Sequence, residues 1–421
     1  MPIDYDSLTF SELAKLGMQN DSIALTMLGL AYMYGDYNVN PNMDMASSYF
    51  ERAHTLGHKG AAYLLGQLFN DFDKEKAFLW YEKAASYGFS DAMYELSKFY
   101  MDGVCVEKDL VRSFQLLTNA VNEGCENANF LLGQCYEKGL GTDSNKALAL
   151  KHYLSVDSPM SKYYAGRLLL NAEDKANNKY AFQLLNEALN GGVLDAYCEL
   201  GNCYLMGKGV PIDVDKAIEL FEKSAEENSI RGKLLYANSI ILNDTAKELI
   251  GYTPEERINN LKKALDWIEN LDEKYKNRLL EIQLLTHIGD CYLREGIEKK
   301  DKHLLLLAKS RLEIGASNNH PNALVELGLC LIQLSEKPDD YIQIHSILSN
   351  AINNYYDQLD KKFQFAGCDM LMQIYLYGLG VPTNLEMAYK YCKIAADNGS
   401  EEAISNLKRF KKRVFGGYIY E

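Results

Sequence analysis

Proline is scarce in this chain of 421 residues: there are 8, where about 5 % is usual. Glycine, at 30, stands at an ordinary level, and that combination favours helices ended by glycine rather than strands broken by proline. None of the nine cysteines forms a CxxC pair. Their odd number cannot close a full set of intrachain disulfides, so reduced, buried thiols are expected. Positive charge is in deficit, with 44 Lys and Arg against 58 Asp and Glu and a net charge of −14, which argues against a coat for nucleic acid or anionic lipid. No apolar run reaches the roughly 18 residues of a bilayer-crossing helix. The opening Met1-Pro2-Ile3-Asp4-Tyr5-Asp6 lacks the basic and apolar regions of a secretion signal, so the expected location is cytoplasmic, with no membrane contact. A hydrophobic share of 47 % beside 24 % charged residues excludes a disordered or fibrous chain and is enough to build a core.

Catalytic signatures are missing too. Neither a GxSxG nor an HExxH string is present, so a hydrolase with a site in a groove has no local support. Gly201 to Lys208 superficially suggests a phosphate loop, but five residues lie between its glycines where four are needed, and Gly209 replaces the Ser or Thr. His54 and His58 stand four apart, with Gly57 where the helix should stop and no third ligand. Asp71-Phe72-Asp73-Lys74-Glu75 lacks the turn glycine and closing glutamate of a calcium loop. No metal, cofactor or catalytic residue is expected.

What the chain does have is self-similarity. Strings related to Ala196 to Tyr204 recur around the anchors Gly29, Gly66, Ser97, Gly133, Gly166, Gly201, Ala237, Gly289, Gly328 and Met372, at intervals of 31 to 52 residues. Three residues after the anchor stands an aromatic in seven cases of ten, as in Tyr32, Tyr100, Tyr136, Tyr204 and Tyr375. Five before it stands a small residue in all but one, as in Ala24, Ala61, Ala92 and Ala128. Offsets of −5, −1, 0 and +3 fall on one stripe of a helix, and an anchor without a side chain lets a second helix approach closely. That second helix is legible at Asp215 to Ala225, Lys76 to Ala85 and Leu385 to Ala396. Between the two helices lie Gly207-Lys208-Gly209-Val210-Pro211 and Gly378-Leu379-Gly380-Val381-Pro382, where glycine takes the left-handed, helix-ending conformation. Each repeat is thus expected to be a helical hairpin. Cys135, Cys203, Cys291 and Cys330 all follow their anchors by two, which reads as a packing slot.

The order of small residue, Leu-Gly, Tyr, Gly-x-Gly-Val, Lys-Ala and Ala-Ala resembles the Sel-one-like repeat family, relatives of the tetratricopeptide repeats. The resemblance implies an all-α fold, a right-handed α/α superhelix (solenoid) of about ten helix-turn-helix repeats, used as a scaffold or adaptor for other proteins. The expected organisation is an N-terminal half-repeat cap over 1–21, Sel-one-like repeats over 22–230, and degenerate, longer tetratricopeptide-like repeats over 231–320. C-terminal Sel-one-like repeats follow over 321–400, then a capping helix and flexible aromatic tail over 401–421, the helix running from Glu401 to Val414. The poorly matching middle holds Gly251 to Glu256, which reads as a helix start.

In related superhelices the first helix of each hairpin lines the concave surface. At offset −3 this helix carries Tyr63, Tyr94, Phe130 and Tyr163, and at +1 Gln67, Lys98, Gln134, Arg167 and Asn202. Stacked repeats would set these side by side as an aromatic and a polar column, residue types enriched in binding hot spots. Lys98 and Arg167 would form a positive stripe, which favours a protein or peptide partner presenting an acidic segment. A second feature is Lys408-Arg409-Phe410-Lys411-Lys412-Arg413, read either as the solvated face of the last helix or as a docking element. The functional expectation is a non-catalytic protein-interaction scaffold. An inhibitor or immunity-type protein wrapping a single effector is the alternative; nucleic acid is disfavoured as a partner.

Overall fold

The computed structural model describes residues 3–172, 175–246, 253–413 and 417–421. Among these residues 22 α-helices follow one another, and ten helix-turn-helix pairs account for all but the first and the last. The chain forms two compact units, residues 1–199 with 208–211 and residues 200–207 with 212–421, the division falling within the helix Ala196–Met206.

The first unit opens with a single helix, Phe10–Met18, held by a Thr9–Glu12 capping box. Its Leu13 is fully buried and clusters with Ala24 and Leu28 of the next helix. Five hairpins follow: Ser22–Tyr34 with Met43–Thr55, Gly60–Phe69 with Lys74–Ser86, Ser90–Asp102 with Leu110–Asn122, Glu126–Lys138 with Lys146–Leu154, and Pro159–Leu170 with Asn178–Asn190. Four of these second helices start on a carboxylate or amide cap. Asn42, Asp73, Asp109 and Asn145 each accept a backbone N–H three residues on, contributing about 1 kcal/mol apiece. The aromatic three residues past the anchor fixes the turn, because its carbonyl accepts the N–H of that cap. Asn42 N to Tyr32 O is 2.8 Å, Asp109 to Tyr100 is 2.9 Å, and Asn145 to Tyr136 is 2.7 Å.

The second unit repeats this scheme. Asp213 donates to Tyr204 O at 3.0 Å and Asn384 to Tyr375 O at 2.9 Å, opening the helices Val214–Glu226 and Leu385–Asp397. In between stand the hairpins Ile230–Ala246 with Pro254–Glu269, Arg278–Lys299 with Lys302–Ser317, and Pro321–Leu334 with Asp340–Tyr355. The helices of the first two of these hairpins run to 17, 16, 22 and 16 residues. The expected helix start falls at Pro254, capped by Thr253 and Glu256, while Gly251 and Tyr252 lie outside the described residues. Lys361–Tyr377 completes the last hairpin with Leu385–Asp397.

The anchor glycines carry the close approach. A Cβ on Gly66 would sit 2.5 Å from the Tyr81 ring, and one on Gly133 2.7 Å from that of Tyr153; Gly29 and Gly201 face Phe50 and Phe221 in the same way. These four aromatics all lie eight residues after the second-helix cap. Opposite Gly166 that position holds Leu185, 2.8 Å from a Cβ on the glycine. Where the anchor has a side chain, the same position shrinks: Leu117 follows cap Asp109 in the Ser97 repeat, and Cys392 follows cap Asn384 in the Met372 repeat. The Gly-x-Gly pairs are helix stops, as expected: Gly207 and Gly209 have φ of 68° and 79°. Gly209 also passes against the Asn178 carbonyl with no room for a Cβ.

The end of the chain departs from expectation. The last helix stops at Leu407 instead of reaching Val414, and Phe410–Lys412 pairs antiparallel with Tyr418–Tyr420 in a two-stranded hairpin. Aromatic burial is the cause: Phe410 is buried and packs on Tyr389, Tyr418 and Tyr420, while Tyr418 stacks on Tyr389 with ring centroids 4.1 Å apart. So the tail is docked rather than loose at Tyr418 to Tyr420; Val414, Phe415 and Gly416 lie outside the described residues. The basic run is likewise not a helix face. Arg409 covers the Tyr420 ring and Lys411 pairs with Glu421.

All four slot cysteines are buried, and of the nine only Cys105 is exposed. Burial pushes the thiols of Cys135, Cys330 and Cys392 up to about 11 and that of Cys368 up to about 12.

Two outcomes follow from this packing. Gly201→Ala should lower unfolding stability by about 1–3 kcal/mol through overpacking, whereas Glu227→Gln on the surface should stay within about 0.5 kcal/mol; chemical denaturation of the two variants reads the difference. Thiol titration should find one fast-reacting group, Cys105, in native protein and nine in denaturant.

Candidate functional site

Four first helices of the first unit carry most of the expected binding residues, and the structure treats them unequally. Tyr63 and Gln67 form a pair on Gly60–Phe69, the amide Nε2 donating to the tyrosine Oη at 3.0 Å. Burial, with Asp91 and Glu95 nearby, pushes the Tyr63 hydroxyl up to about 12, so it stays protonated and available as a donor. On Ser90–Asp102 the Lys98 ammonium sits 4.7 Å from the Tyr94 ring centroid and 2.6 Å from Glu95. Lys98 and Glu95 then line a cleft of about 220 Å³ together with Asn70, Lys74, Phe99 and Asp102.

The next two helices form a denser assembly. Phe130 lies edge-on to Tyr164 at 5.3 Å and 5.9 Å from Tyr153. Arg167 stacks over Tyr164 at 4.7 Å and reaches back to Glu137 at 2.7 Å. The other Glu137 oxygen accepts the Tyr153 hydroxyl at 2.7 Å. One carboxylate thus joins the first helix of one repeat, its second helix, and the first helix of the next. Planar guanidinium, aromatic ring and carboxylate held together this way are pre-organised, so little side-chain entropy remains to be lost on binding.

Three expectations change. Tyr163 is only 6 % exposed; its ring packs edge-on to Tyr164 at 5.4 Å, and Arg167 lies nearer the Tyr164 ring, at 4.7 Å, than that of Tyr163, at 5.9 Å. Lys98 and Arg167 do not make a net positive stripe, since each already holds a carboxylate, Glu95 and Glu137. Asn202 belongs to the second unit and the other eight residues to the first; Gln134 is half-buried on Glu126–Lys138. Glu95, Glu137 and Tyr164 were not singled out from sequence. The available signal was a Glu three residues before a basic +1 position, Glu95 before Lys98. The two spaced histidines are tied into packing: His58 Nδ1 lies 3.0 Å from the Thr26 hydroxyl, and His54 sits edge-on to Trp80 at 5.4 Å.

Comparison with known proteins agrees with this architecture. The profile of the Sel1 repeat matches residues 22–58, 60–88, 90–125, 127–155, 194–229 and 367–400. The chain carries six Sel1 repeats. The profile leaves residues 156–193 unmatched, although Pro159–Leu170 and Asn178–Asn190 form a hairpin there; Leu185 stands where the neighbouring repeats have an aromatic. Among solved structures, the protective antigen c5321 of uropathogenic Escherichia coli, which displays an SLR fold, superposes with a TM-score of 0.65 at 20 % identity. That match covers 95 % of this chain and 82 % of that one. A Sel1 repeat protein from Oxalobacter formigenes gives a TM-score of 0.40 at 17 % identity, over 86 % and 90 % of the two chains. The first of these likenesses is one of fold, that of helical repeat solenoids. No curated protein matches the sequence significantly. No helix among the described residues is long and apolar enough to cross a membrane.

The Glu137 network makes a structural prediction of its own. Arg167→Ala strands a mostly buried carboxylate and should cost about 1–3 kcal/mol. Adding Glu137→Gln removes the stranded charge, so the double variant should be more stable than Arg167→Ala alone when both are unfolded by urea.

Proposed function

We propose that this protein is a non-catalytic scaffold that takes a segment of a partner protein on the first helices of its first unit. The observation that carries the reading is that helical hairpins occupy nearly all described residues, an architecture that offers extended surface and is generally used for protein–protein interaction. Tyr63 with Gln67, Tyr94 with Lys98, Phe130 with Gln134, and Tyr164 with Arg167 supply that surface. The ion pairs with Glu95 and Glu137 cancel the charge of the stripe, so recognition is assigned to aromatic contact and hydrogen bonding, with acidity of the segment a lesser factor. A soluble, cytoplasmic protein of this kind needs no cofactor.

Affinity capture from the native host with mass spectrometry tests the proposal. Tyr94→Ala should weaken capture of the partners recovered by wild type by about 1–3 kcal/mol with unchanged helicity, and charge reversal at Lys411 and Lys412 should leave capture intact. Normal capture by Tyr94→Ala together with loss on charge reversal would move the docking site to the C-terminal hairpin.

A further inference from the structure

Three repeats carry a glutamate two residues before the anchor: Glu95, Glu199 and Glu326. Glu95 is half-exposed and paired to Lys98, three residues on. In the Gly328 repeat that partner position is Leu329, and Glu326 is left 3 % exposed with no hydrogen-bond partner for its Oε2 among the described residues. A buried carboxyl in this state is costly whether charged or neutral, and nothing in the packing of the repeat calls for it.

Glu326 lines a cavity of about 230 Å³ whose walls are apolar: Leu293 and Ile297 from Arg278–Lys299, Val325 and Leu329 from its own helix, Phe363 and Ala366 from Lys361–Tyr377. Of the other charged groups at the cavity, Arg294 and Asp290 are committed to one another. Arg294 holds Asp290 by Nε to Oδ1 at 3.0 Å and Nη2 to Oδ2 at 2.7 Å. The Lys362 ammonium rests 4.4 Å from the centroid of the Phe363 ring. An anionic ligand would meet Asp290 and Glu326, with the Arg294 guanidinium taken and the exposed Lys362 ammonium left to receive it. A cation with an apolar stem answers both the orphan carboxyl and the apolar walls.

We propose that this cavity is a binding site for an alkylammonium group, the ammonium donating to Glu326 and a stem of about four carbons, the length of a lysine side chain, lying on Leu293, Val325, Leu329 and Phe363. The site is independent of the partner surface on the first unit. A free amine and a lysine side chain share this chemistry. Burial, reinforced by Asp290 and Asp360, holds the Glu326 carboxyl well above the usual carboxylate range, while Lys362 and Arg294 pull the other way. Helices Lys302–Ser317 and Asp340–Tyr355, also packed on this one, contribute none of the groups that act most strongly on it. In the empty site the neutral acid is therefore favoured over the carboxylate. On binding, the carboxyl gives its proton to solvent and the carboxylate pairs with the ammonium, so affinity rises with pH until the free-state pKa is passed and is level above it.

Calorimetric titration of the full chain with n-butylammonium, at several pH values from 5 to 8 and in buffers of different ionisation enthalpy, tests this. The expected result is affinity that climbs by up to about tenfold per pH unit, with release of a proton approaching one per ligand. Glu326→Gln, an isostere of the neutral acid, should fold normally, weaken binding at least about tenfold and abolish the proton release. Ala366→Phe should block binding while leaving Glu326 in place. A capped peptide with one central lysine that binds more tightly than n-butylammonium, again through Glu326, would identify a side chain as the natural occupant; the reverse order would identify a free amine. Equal binding of n-butanol or butyrate, or undiminished binding by Glu326→Gln, would overturn the proposal.

Discussion

The contact between a missing side chain and a large one organises this protein. Five first helices present a glycine anchor, and into that space goes the residue eight positions past the cap of the second helix: Phe50, Tyr81, Tyr153, Phe221, or Leu185. In the four with an aromatic partner both helices are then fixed in register, because the same cap is tied by its backbone to the aromatic three residues after the anchor. A hairpin built this way has little core of its own. It becomes stable by stacking on the next, which is why the pattern recurs ten times and why the first and last helices are unpaired caps.

Most of the fold was readable because it rests on local, repeated spacings. Anchors, helix-ending glycines, second-helix caps and the cysteine slot all recur in sequence at fixed offsets, and the structure places them together. The C-terminal hairpin was not readable. Lys408 to Arg413 has the look of a helix face, and what overrides it is long-range stacking of Phe410 and Tyr418 on Tyr389, which leaves no periodic trace. The size exchange at Ser97 and Met372, answered by Leu117 and Cys392, is visible in sequence only once the cap positions are known.

The candidate surface was legible in kind but not in detail. Offsets correctly place Tyr63 beside Gln67 and Tyr94 beside Lys98, since those pairs lie four residues apart on one helix. Offsets say nothing about which of two adjacent tyrosines turns inward, and here Tyr163 does while Tyr164 meets Arg167. Nor do they reveal that Glu137 reaches across a repeat boundary to neutralise Arg167. Glu326 gave no signal at all, because a glutamate at its offset is partly buried and paired in the Ser97 repeat and becomes an orphan only when Leu329 replaces the cation.

The size match between anchor and facing residue can be measured directly by transplanting the Ser97 and Leu117 combination into the second repeat. Gly66→Ser alone overpacks against Tyr81 and Tyr81→Leu alone opens a void, each destabilising. Together, in a double-mutant cycle followed by urea denaturation, they should recover stability, with a favourable coupling of about 0.5–3 kcal/mol. Costs that simply add, to within about 0.5 kcal/mol, would show that the two residues do not sense one another and that the hairpins are held by something else.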